Sequence, residues 1–317
     1  MNYDIFNGDA DGIIALLQLR LLTPQQSILV TGVKRDINLL AQLNVQSGDK
    51  LTVLDISLEQ NIDGVNLALA NGAQVFYADH HRSGRIPNHN NLQANIDLDA
   101  NTCTALIIDK LIGGQFHLWA ITAAYGDNLI AKAEQLSATA GLTFEQAAQL
   151  KELGTLINYN GYGAKVEDLH LHPAELYKLL LQYSSPLDVI SDKNSPFALL
   201  QQAYQTDLDA VLNIKPTYKS TQLTLYILPD TPWARRISGV YGNLLANQTP
   251  SSAHAVLTES GDGNYLLSLR APLDNKHGAA EICRQFATGG GRAAAAGINR
   301  LPIAQLPEFI ATVEAFY

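Results

Sequence analysis

Through the first hundred residues, short apolar runs alternate with helical stretches, and the runs end at polar residues suited to chemistry. "YDIF" (3–6) opens the series, followed by "SILVTG" (27–32), "LTVLDIS" (51–57) and "AQVFYADHH" (73–81). Short runs rich in β-branched and aromatic residues predict strands. The stretches near 13–22 and 60–71 have the apolar spacing of helices. Parallel neighbours need a helix-length crossover, so this alternation predicts a mostly parallel sheet covered on both faces. Such sheets bind ligands outside the carboxyl ends of their strands.

The carboxylates fall at that edge. Asp9 and Asp11, in "NGDADG", follow the first run, Asp55 ends the third, and Asp79, His80 and His81 end the fourth. Any one of these aspartates, alone, reads as the N-cap of the next helix. Several at one edge make a site. Asp127, closing the helical segment "LWAITAAYGDN", adds a further oxygen donor. Carboxylates with one imidazole suit Mn²⁺ or Mg²⁺ better than the thiolate sets of structural zinc. An aspartate shared by two ions holds them about 3.5–4 Å apart, the spacing of two-metal phosphoryl-transfer sites. Gly8 and Gly12 are expected to let the "NGDADG" loop turn tightly.

From about 101 to 212 the pattern is largely helical, with "TCTALIIDKLIG", "TFEQAAQLKELGTLINY", "HPAELYKLLLQY" and "FALLQQAYQTDLDAVLN" as segments. After Lys215-Pro216 short strands return in "TLYIL", "HAVLTE" and "YLLSLR". The expected fold class is therefore α/β: a parallel-sheet domain with a helical extension over 1–195, a linker helix over 196–217, and a smaller α/β domain over 218–317. In that last part "TGGGRAAAAGI" stands out. Its glycines Gly289, Gly290 and Gly291 let backbone N–H groups approach an anion, and Arg292 offers a bidentate fork. A Gly-rich turn leading into an Ala helix is the competing reading. Arg270, in "SLRA", is a second candidate anion contact, or a surface arginine.

Other residues carry weaker signals. His170 and His172 alternate before Pro173 and read as a solvated helix entry rather than a metal pair. Arg235 and Arg236, beside Trp233, read as a basic first turn, with a base clamp as the sharper alternative. His89, Arg82 and Ser83 lie near the proposed edge.

A net charge of −9 argues against a long nucleic-acid duplex as partner, while leaving room for a short one in a local cleft. With 47% hydrophobic and 16% charged residues the chain folds rather than staying disordered. The start "MNYDIFNGDADG" has no basic and apolar leader and no run is long enough to span a bilayer, so a cytoplasmic protein without membrane contact is expected. Cys103 and Cys283 lack CxxC partners and read as reduced core thiols. The oligomeric state is open, a homodimer included.

In order, "NGDADG", "LDIS", "ADHH" and "GDN", then "SLRA" and "GGGRAAAAG", resemble the DHH phosphoesterase family, in the members with a DHH-associated C-terminal domain. The resemblance covers nearly the whole chain. It implies a catalytic DHH domain over 1–195, a substrate-binding domain over 218–317, and Mn²⁺-dependent activity with two ions, Mg²⁺ being the alternative. Members include RecJ-type exonucleases, oligoribonucleases, hydrolases of adenosine bisphosphate or of linear and cyclic dinucleotides, and pyrophosphatases. On this resemblance Asp9 binds one ion, Asp11 the other, and Asp55 bridges them. His80 and Asp127 complete the donor set of the second ion. His81, with Asp79, contacts the scissile phosphate or assists proton transfer. Gly290, Gly291 and Arg292 hold the substrate's terminal phosphate or base, with Gly289 and Arg270 nearby. Two positions depart from the family's pattern. Asn7 stands where a metal-binding His or Asp is common, which puts full occupancy of the first ion site in question. Arg292 replaces the usual His of the glycine motif by a permanent cation. The expectation is a phosphodiesterase acting on dinucleotide-sized fragments from cyclic-dinucleotide turnover or RNA decay. The alternatives are a pyrophosphatase or nucleoside bisphosphate phosphatase, or a degenerate nucleotide-binding module.

Overall fold

The computed structural model describes residues 1–317, which gather into two units, Met1–Gln202 and Ala203–Tyr317. The first unit begins with β1 (Asn2–Phe6), α1 (Ala10–Leu22), β2 (Ile28–Val30), β3 (Lys50–Leu54), α2 (Leu58–Ala70), β4 (Gln74–Asp79) and β5 (Leu92–Ile96). Its helical continuation is α3 (Thr104–Leu111), α4 (His117–Gly126), α5 (Ile130–Thr139), α6 (Phe144–Asn160), α7 (Pro173–Leu180) and α8 (Pro186–Ser191). All strands pair in parallel, in the order β2-β1-β3-β4-β5. The strand order reverses between β1 and β3. At such a switch point the two crossovers depart in opposite directions and leave a crevice at the carboxyl ends.

Helices cover both faces, as the apolar runs require. On one side Leu58, Val65, Ala68 and Leu69 of α2 pack with Tyr3, Ile5, Val53 and Tyr77 of the sheet. On the other side α1 lies between the sheet and α3, α4, α6 and α7. It is apolar all round, and Ile13, Ile14, Leu16 and Leu17 are fully buried, as a central helix must be. The strand period of two turns Asp4 towards α1, where Arg20 pairs with it. Arg20 Nε donates to Asp4 Oδ2 at 2.8 Å and Ser27 Oγ donates to the same oxygen at 2.5 Å. The charge is thereby both paired and hydrogen-bonded, which is what a buried ion pair needs.

Register fixes the edge that matters. Phe6 lies opposite Leu54, and Leu54 opposite Ala78. The ladder continues past the strand ends: Asn7 N–H donates to Leu54 O at 3.2 Å, and Asp55 N–H to Ala78 O at 3.1 Å. Asn7, Asp55 and Asp79 therefore emerge side by side.

The expected strands and helices are present with shifted bounds. β2 keeps only the centre of "SILVTG", and β5, an edge strand, has too few buried positions to read as a strand from its sequence. α1 starts at Ala10 rather than near 13, because Asp9 caps it, so Asp11 sits in the first helical turn instead of a loop. Neither Gly8 nor Gly12 has positive φ. Close approach explains them instead: a Cβ on Gly8 would lie 1.9 Å from Gly32 O, and one on Gly12 2.3 Å from Asn7 O.

The expected linker 196–217 holds α9 (Pro196–Leu212), and the boundary between the units falls inside that helix. The second unit then runs β6 (Tyr218–Lys219), β7 (Leu223–Leu228), α10 (Pro232–Gln248), β8 (Ala253–Glu259), β9 (Asn264–Arg270), α11 (Ala279–Cys283), β10 (Gly289–Gly291), β11 (Ala295–Pro302) and α12 (Leu306–Phe316). Its sheet has the order β10-β11-β9-β8-β7-β6 and is mixed: β7 and β8 are parallel, joined through α10, and the other pairs antiparallel. Leu225, Leu257, Leu267 and Leu269 form its core with Ile282, Phe309 and Val313 of α11 and α12. Tyr241 of α10 meets Tyr226 on the opposite face, ring centroids 5.3 Å apart. The alanines of "GGGRAAAAG" enter β11, so the segment is a hairpin and the Ala-helix alternative is overturned. No helix is long and apolar enough to cross a membrane. Cys103 and Cys283 are buried free thiols.

Candidate metal centre

The switch point gathers the acidic residues. Asp11, on the first turn of α1, is buried, and its carboxylate accepts the backbone N–H of Thr104 (2.7 Å, Oδ2) and of Ala105 (2.8 Å, Oδ1) at the start of α3. Asp55, just past β3, has φ of 58°, a left-handed conformation that Asp and Asn tolerate better than other side chains. Thr104 Oγ donates to Asp55 Oδ1 at 3.0 Å. His80, following β4, brings Nε2 to 3.6 Å from Asp11 Oδ2 and 3.4 Å from Asp55 Oδ1. Its Nδ1 lies 2.9 Å from Thr102 O. A carbonyl only accepts, so Nδ1 carries the hydrogen and Nε2 is the ring atom turned towards both carboxylates. That is the orientation of a metal-ligating histidine with a carbonyl behind it.

The electrostatics call for a cation here. Burial first, then the charges of Asp11, Asp9, Asp79 and Asp127, push the Asp55 carboxyl well above the ordinary range. Burial and the same anionic field, from Asp11 and Asp127, raise the Cys103 thiol beside them. Asp55, His80 and His81 each bring a ligand atom within 4.8 Å of the others. His81, however, spends Nδ1 on Asp79 Oδ1 at 2.7 Å, against 3.8 Å to Asp55. Asp11 therefore suits the third position better. Two carboxylate oxygens and one imidazole nitrogen form the hard donor set of Mn²⁺ or Mg²⁺, and the set fits such an ion. Asp79 is fully buried, with Oδ2 lacking a hydrogen-bond partner, whereas the His81 side chain is 31% exposed.

The half of the site nearer β1 is built differently. Asp9 Oδ1 accepts the N–H groups of Asp11 (3.0 Å) and Gly12 (3.1 Å), so this residue is the N-cap of α1. Asp9 Oδ2 is paired with the ammonium of Lys34. That ammonium also donates to Asn158 Oδ1 on α6 at 3.0 Å and stands 5.4 Å from the centroid of the Tyr162 ring. Burial would raise the Asp9 carboxyl, but Lys34 outweighs it and Asp9 is held below the usual range despite the repulsion of Asp127. Burial opposes the Lys34 charge, and Asp9, Tyr162 and Asp127 outweigh it, so that amine is held above its usual range. Asn7 is buried; its Nδ2 donates to Lys34 O at 3.2 Å and its Oδ1 has no hydrogen-bond partner. The structure thus brings together Asn7, Asp9, Asp11, Asp55, Asp79, His80, His81 and Asp127, and it adds residues that the sequence did not single out. Thr104 and Asn158 carry no motif signal. Lys34 had one, the first of two adjacent basic residues just past the second run.

The other expected residues lie elsewhere. Arg270, in the second unit, is 8% exposed rather than on the surface. Its guanidinium donates to Asn243 Oδ1 (2.5 Å), Ser268 Oγ (3.0 Å), Leu269 O (3.3 Å) and Gly239 O (3.1 Å), all uncharged acceptors. Gly289 is packed where a Cβ would lie 1.7 Å from Cys283 O, and Gly291 has φ of 139°, whereas Gly290 has open space. Arg292 enters the hairpin turn, its N–H donating to Ala295 O at 2.9 Å. His172 caps α7 through Nδ1, and His170 bonds the Tyr159 hydroxyl at 3.0 Å, so neither is part of a metal pair. Arg235 and Arg236 pair with Asp230 and Asp207. Ser83 Oγ is turned to its neighbour's carbonyl, Gly84 O, Arg82 O accepts from Ser57 Oγ, and His89 Nδ1 accepts from Asn91 N–H.

No family model matches the chain, and no curated protein matches it. Solved structures do. The exonuclease RecJ bound to manganese superposes with a TM-score of 0.61 at 16% identity, over 99% of this chain and 89% of that one. A pGpG-specific phosphodiesterase, PggH from Vibrio cholerae, gives 0.54 at 15% identity, over 99% of each chain. RecJ in complex with Mn²⁺ from Thermus thermophilus gives 0.54 at 16% identity, over 99% of this chain and 51% of that one. The α/β fold expected from the DHH resemblance is the fold observed.

Proposed function

We propose that the chain is a metal-dependent DHH phosphodiesterase that cleaves dinucleotide-sized fragments to mononucleotides. The observation that carries this reading is the meeting of Asp11, Asp55 and His80 Nε2 at a sheet switch point, beside the Asp79–His81 pair. The fold shared with an exonuclease and a pGpG-specific phosphodiesterase supports the reaction class. The second of these neighbours matches this chain end to end, and with the net charge of −9 it favours a small substrate over a long strand.

Asp11, Asp55 and His80 would hold a divalent cation, Mn²⁺ or Mg²⁺. Bound there, it supplies positive charge and Lewis acidity next to the phosphorus. The remaining work falls to the protein. Asp79 accepts the Nδ1 hydrogen of His81, which leaves Nε2 free to take a proton, and the buried carboxylate stabilises the imidazolium that results. Water adds to phosphorus and the bond to the ribose 3′-oxygen breaks. That oxygen leaves with the proton that His81 collected. In the second unit, Arg292 and the open flank of Gly290 would meet a phosphate or base.

The test is incubation with Mn²⁺ and 5′-phosphorylated dinucleotides of several sequences, with pyrophosphate and a nucleoside bisphosphate alongside. Chromatography should show mononucleotides. Phosphate release from the two controls alone would assign the pyrophosphatase or bisphosphate phosphatase reading instead. The ammonium on Asp9 favours one further reading, a non-catalytic nucleotide-binding module. Dinucleotide binding without turnover in either metal would establish that one.

A further inference from the structure

The ion pair at Asp9 has a consequence for how many cations the centre takes. We propose that Lys34 stands in for one of the two cations a DHH centre accommodates, so that this protein binds a single divalent ion, at Asp11, Asp55 and His80. The inference rests on the phosphodiesterase reading of the same site and deepens it.

The donor set nearest β1 does not fit a metal ion. Asp9 Oδ1 already accepts two backbone N–H groups, from Asp11 and Gly12, and two is the capacity of that oxygen. Its other oxygen faces the Lys34 ammonium. Asn7 contributes a neutral oxygen only. The ammonium offsets the Asp9 carboxylate and stands in the field of Asp127 as well, which reduces the negative charge available in this half to attract a divalent cation.

Lys34 is held there and does not swing freely. Its backbone N–H donates to Gly161 O at 2.7 Å and its carbonyl accepts from Asn7 Nδ2 at 3.2 Å. Its ammonium is shared with Asn158 Oδ1, on a residue 1% exposed, and the lysine side chain itself is 23% exposed. The residues just past β1 and α6 thus hold the Lys34 backbone, while Asp9 and Asn158 hold its ammonium. An ammonium is a compact, strongly hydrated point charge and matches a hard ion in its preference for oxygen.

The other half has the opposite balance. Asp11 and Asp55 are both buried carboxylates, no ammonium or guanidinium is paired with either, and His80 Nε2 lies 3.6 Å from one and 3.4 Å from the other. A divalent ion gains most where carboxylate charge faces no cation of the chain.

Metal-free protein, prepared with a chelator and loaded with MnCl₂, is assayed by titration calorimetry and elemental analysis in the absence of substrate. One ion per chain is expected, with the electron paramagnetic resonance of an isolated Mn²⁺. Asp9→Asn should keep that ion and Asp55→Asn should lose it. In the double variant Lys34→Met with Asn7→Asp, the stoichiometry should rise to two and the spectrum should show a coupled pair. Two ions in the unmodified protein would overturn the proposal while leaving the phosphodiesterase reading intact. No ion at all would overturn both. If the double variant fails to fold, the stoichiometry and spectrum of the unmodified protein still decide the matter.

Discussion

Replacing Asp55 by Asn isolates the trade between stability and metal binding at this centre. The substitution removes one charge from a buried carboxylate cluster and changes little else. Asn tolerates the left-handed backbone found at this position, and its Oδ1 can keep the hydrogen bond from Thr104 Oγ. In the metal-free protein Asp55 is repelled by Asp11, Asp9, Asp79 and Asp127, so its loss should stabilise the fold by about 1 kcal/mol, a common gain when a functional site is relaxed. The first unit spans Met1–Gln202, a size for which about 1 kcal/mol moves the melting midpoint by about 2–4 °C. With Mn²⁺ the order should invert. A ligand at a hundredfold its Kd stabilises the native state by about 2.7 kcal/mol, or roughly 5–11 °C here. The variant, having lost a ligand, should show almost none of that shift. Scanning calorimetry with chelator and with Mn²⁺ gives all four midpoints. A chelated variant melting below the chelated parent, or one that keeps the Mn²⁺ shift, would refute the reasoning.

Two further outcomes follow from the same charges. The Asp55 carboxyl titrates well above its ordinary value of 3.8 in the folded state, so the metal-free fold retains a proton that the unfolded chain has released. That contribution is fully present below about pH 4 and is lost as pH rises through the folded value. Asp55 should therefore add stability from pH 7 to pH 5, whereas buried His254, held below its ordinary value, costs stability over the same range. By denaturant titration the metal-free parent should gain more, or lose less, than Asp55→Asn. Asp9, shifted downward, loses its contribution only as pH falls below 3.8 and does not enter this window. His81→Gln should lower kcat on dinucleotides by roughly 10²- to 10⁴-fold, the usual range for a general acid–base group, while calorimetry finds Mn²⁺ stoichiometry unchanged.

The strand-and-helix alternation was legible because β1, β3, β4 and α2 bury most of their apolar positions. α2 shows its apolar face in sequence, and β1, β3 and β4 end where their apolar runs meet Asn7, Asp55 and Asp79. β5 was not legible, since a half-exposed edge strand has little apolar signal. The alanines after Gly291 illustrate a different failure: intrinsic propensity favours a helix, but pairing of β11 with β9 and β10 overrides it. Asp11, Asp55, His80 and Asp127 were nameable because strand and helix ends announce themselves. Lys34 escaped for a physical reason. It gains its role from a contact 25 residues back and another 124 residues ahead, neither of which leaves a periodic trace. Arg270 was visible, yet nothing local told that its guanidinium is spent on the protein's own carbonyl and side-chain oxygens.

Two aspartates on one sheet edge, both buried and both beside further carboxylates, shift in opposite directions, and the reason lies in how each is neutralised. Asp9 has a cation supplied by the chain. Lys34 is present whenever the protein is folded, so Asp9 remains ionised and its repulsion with Asp127 is already offset. Asp55 has no cation of the chain paired with it, and burial with its neighbouring carboxylates drives its carboxyl upward. A fixed ammonium stabilises the carboxylate it faces but also cancels part of the field that would draw a divalent ion. Affinity for such an ion is concentrated where carboxylate charge meets no ammonium. The opposed shifts of these two buried carboxyls thus follow from what faces each, the Lys34 ammonium at Asp9 and the carboxylates of Asp11, Asp9, Asp79 and Asp127 at Asp55.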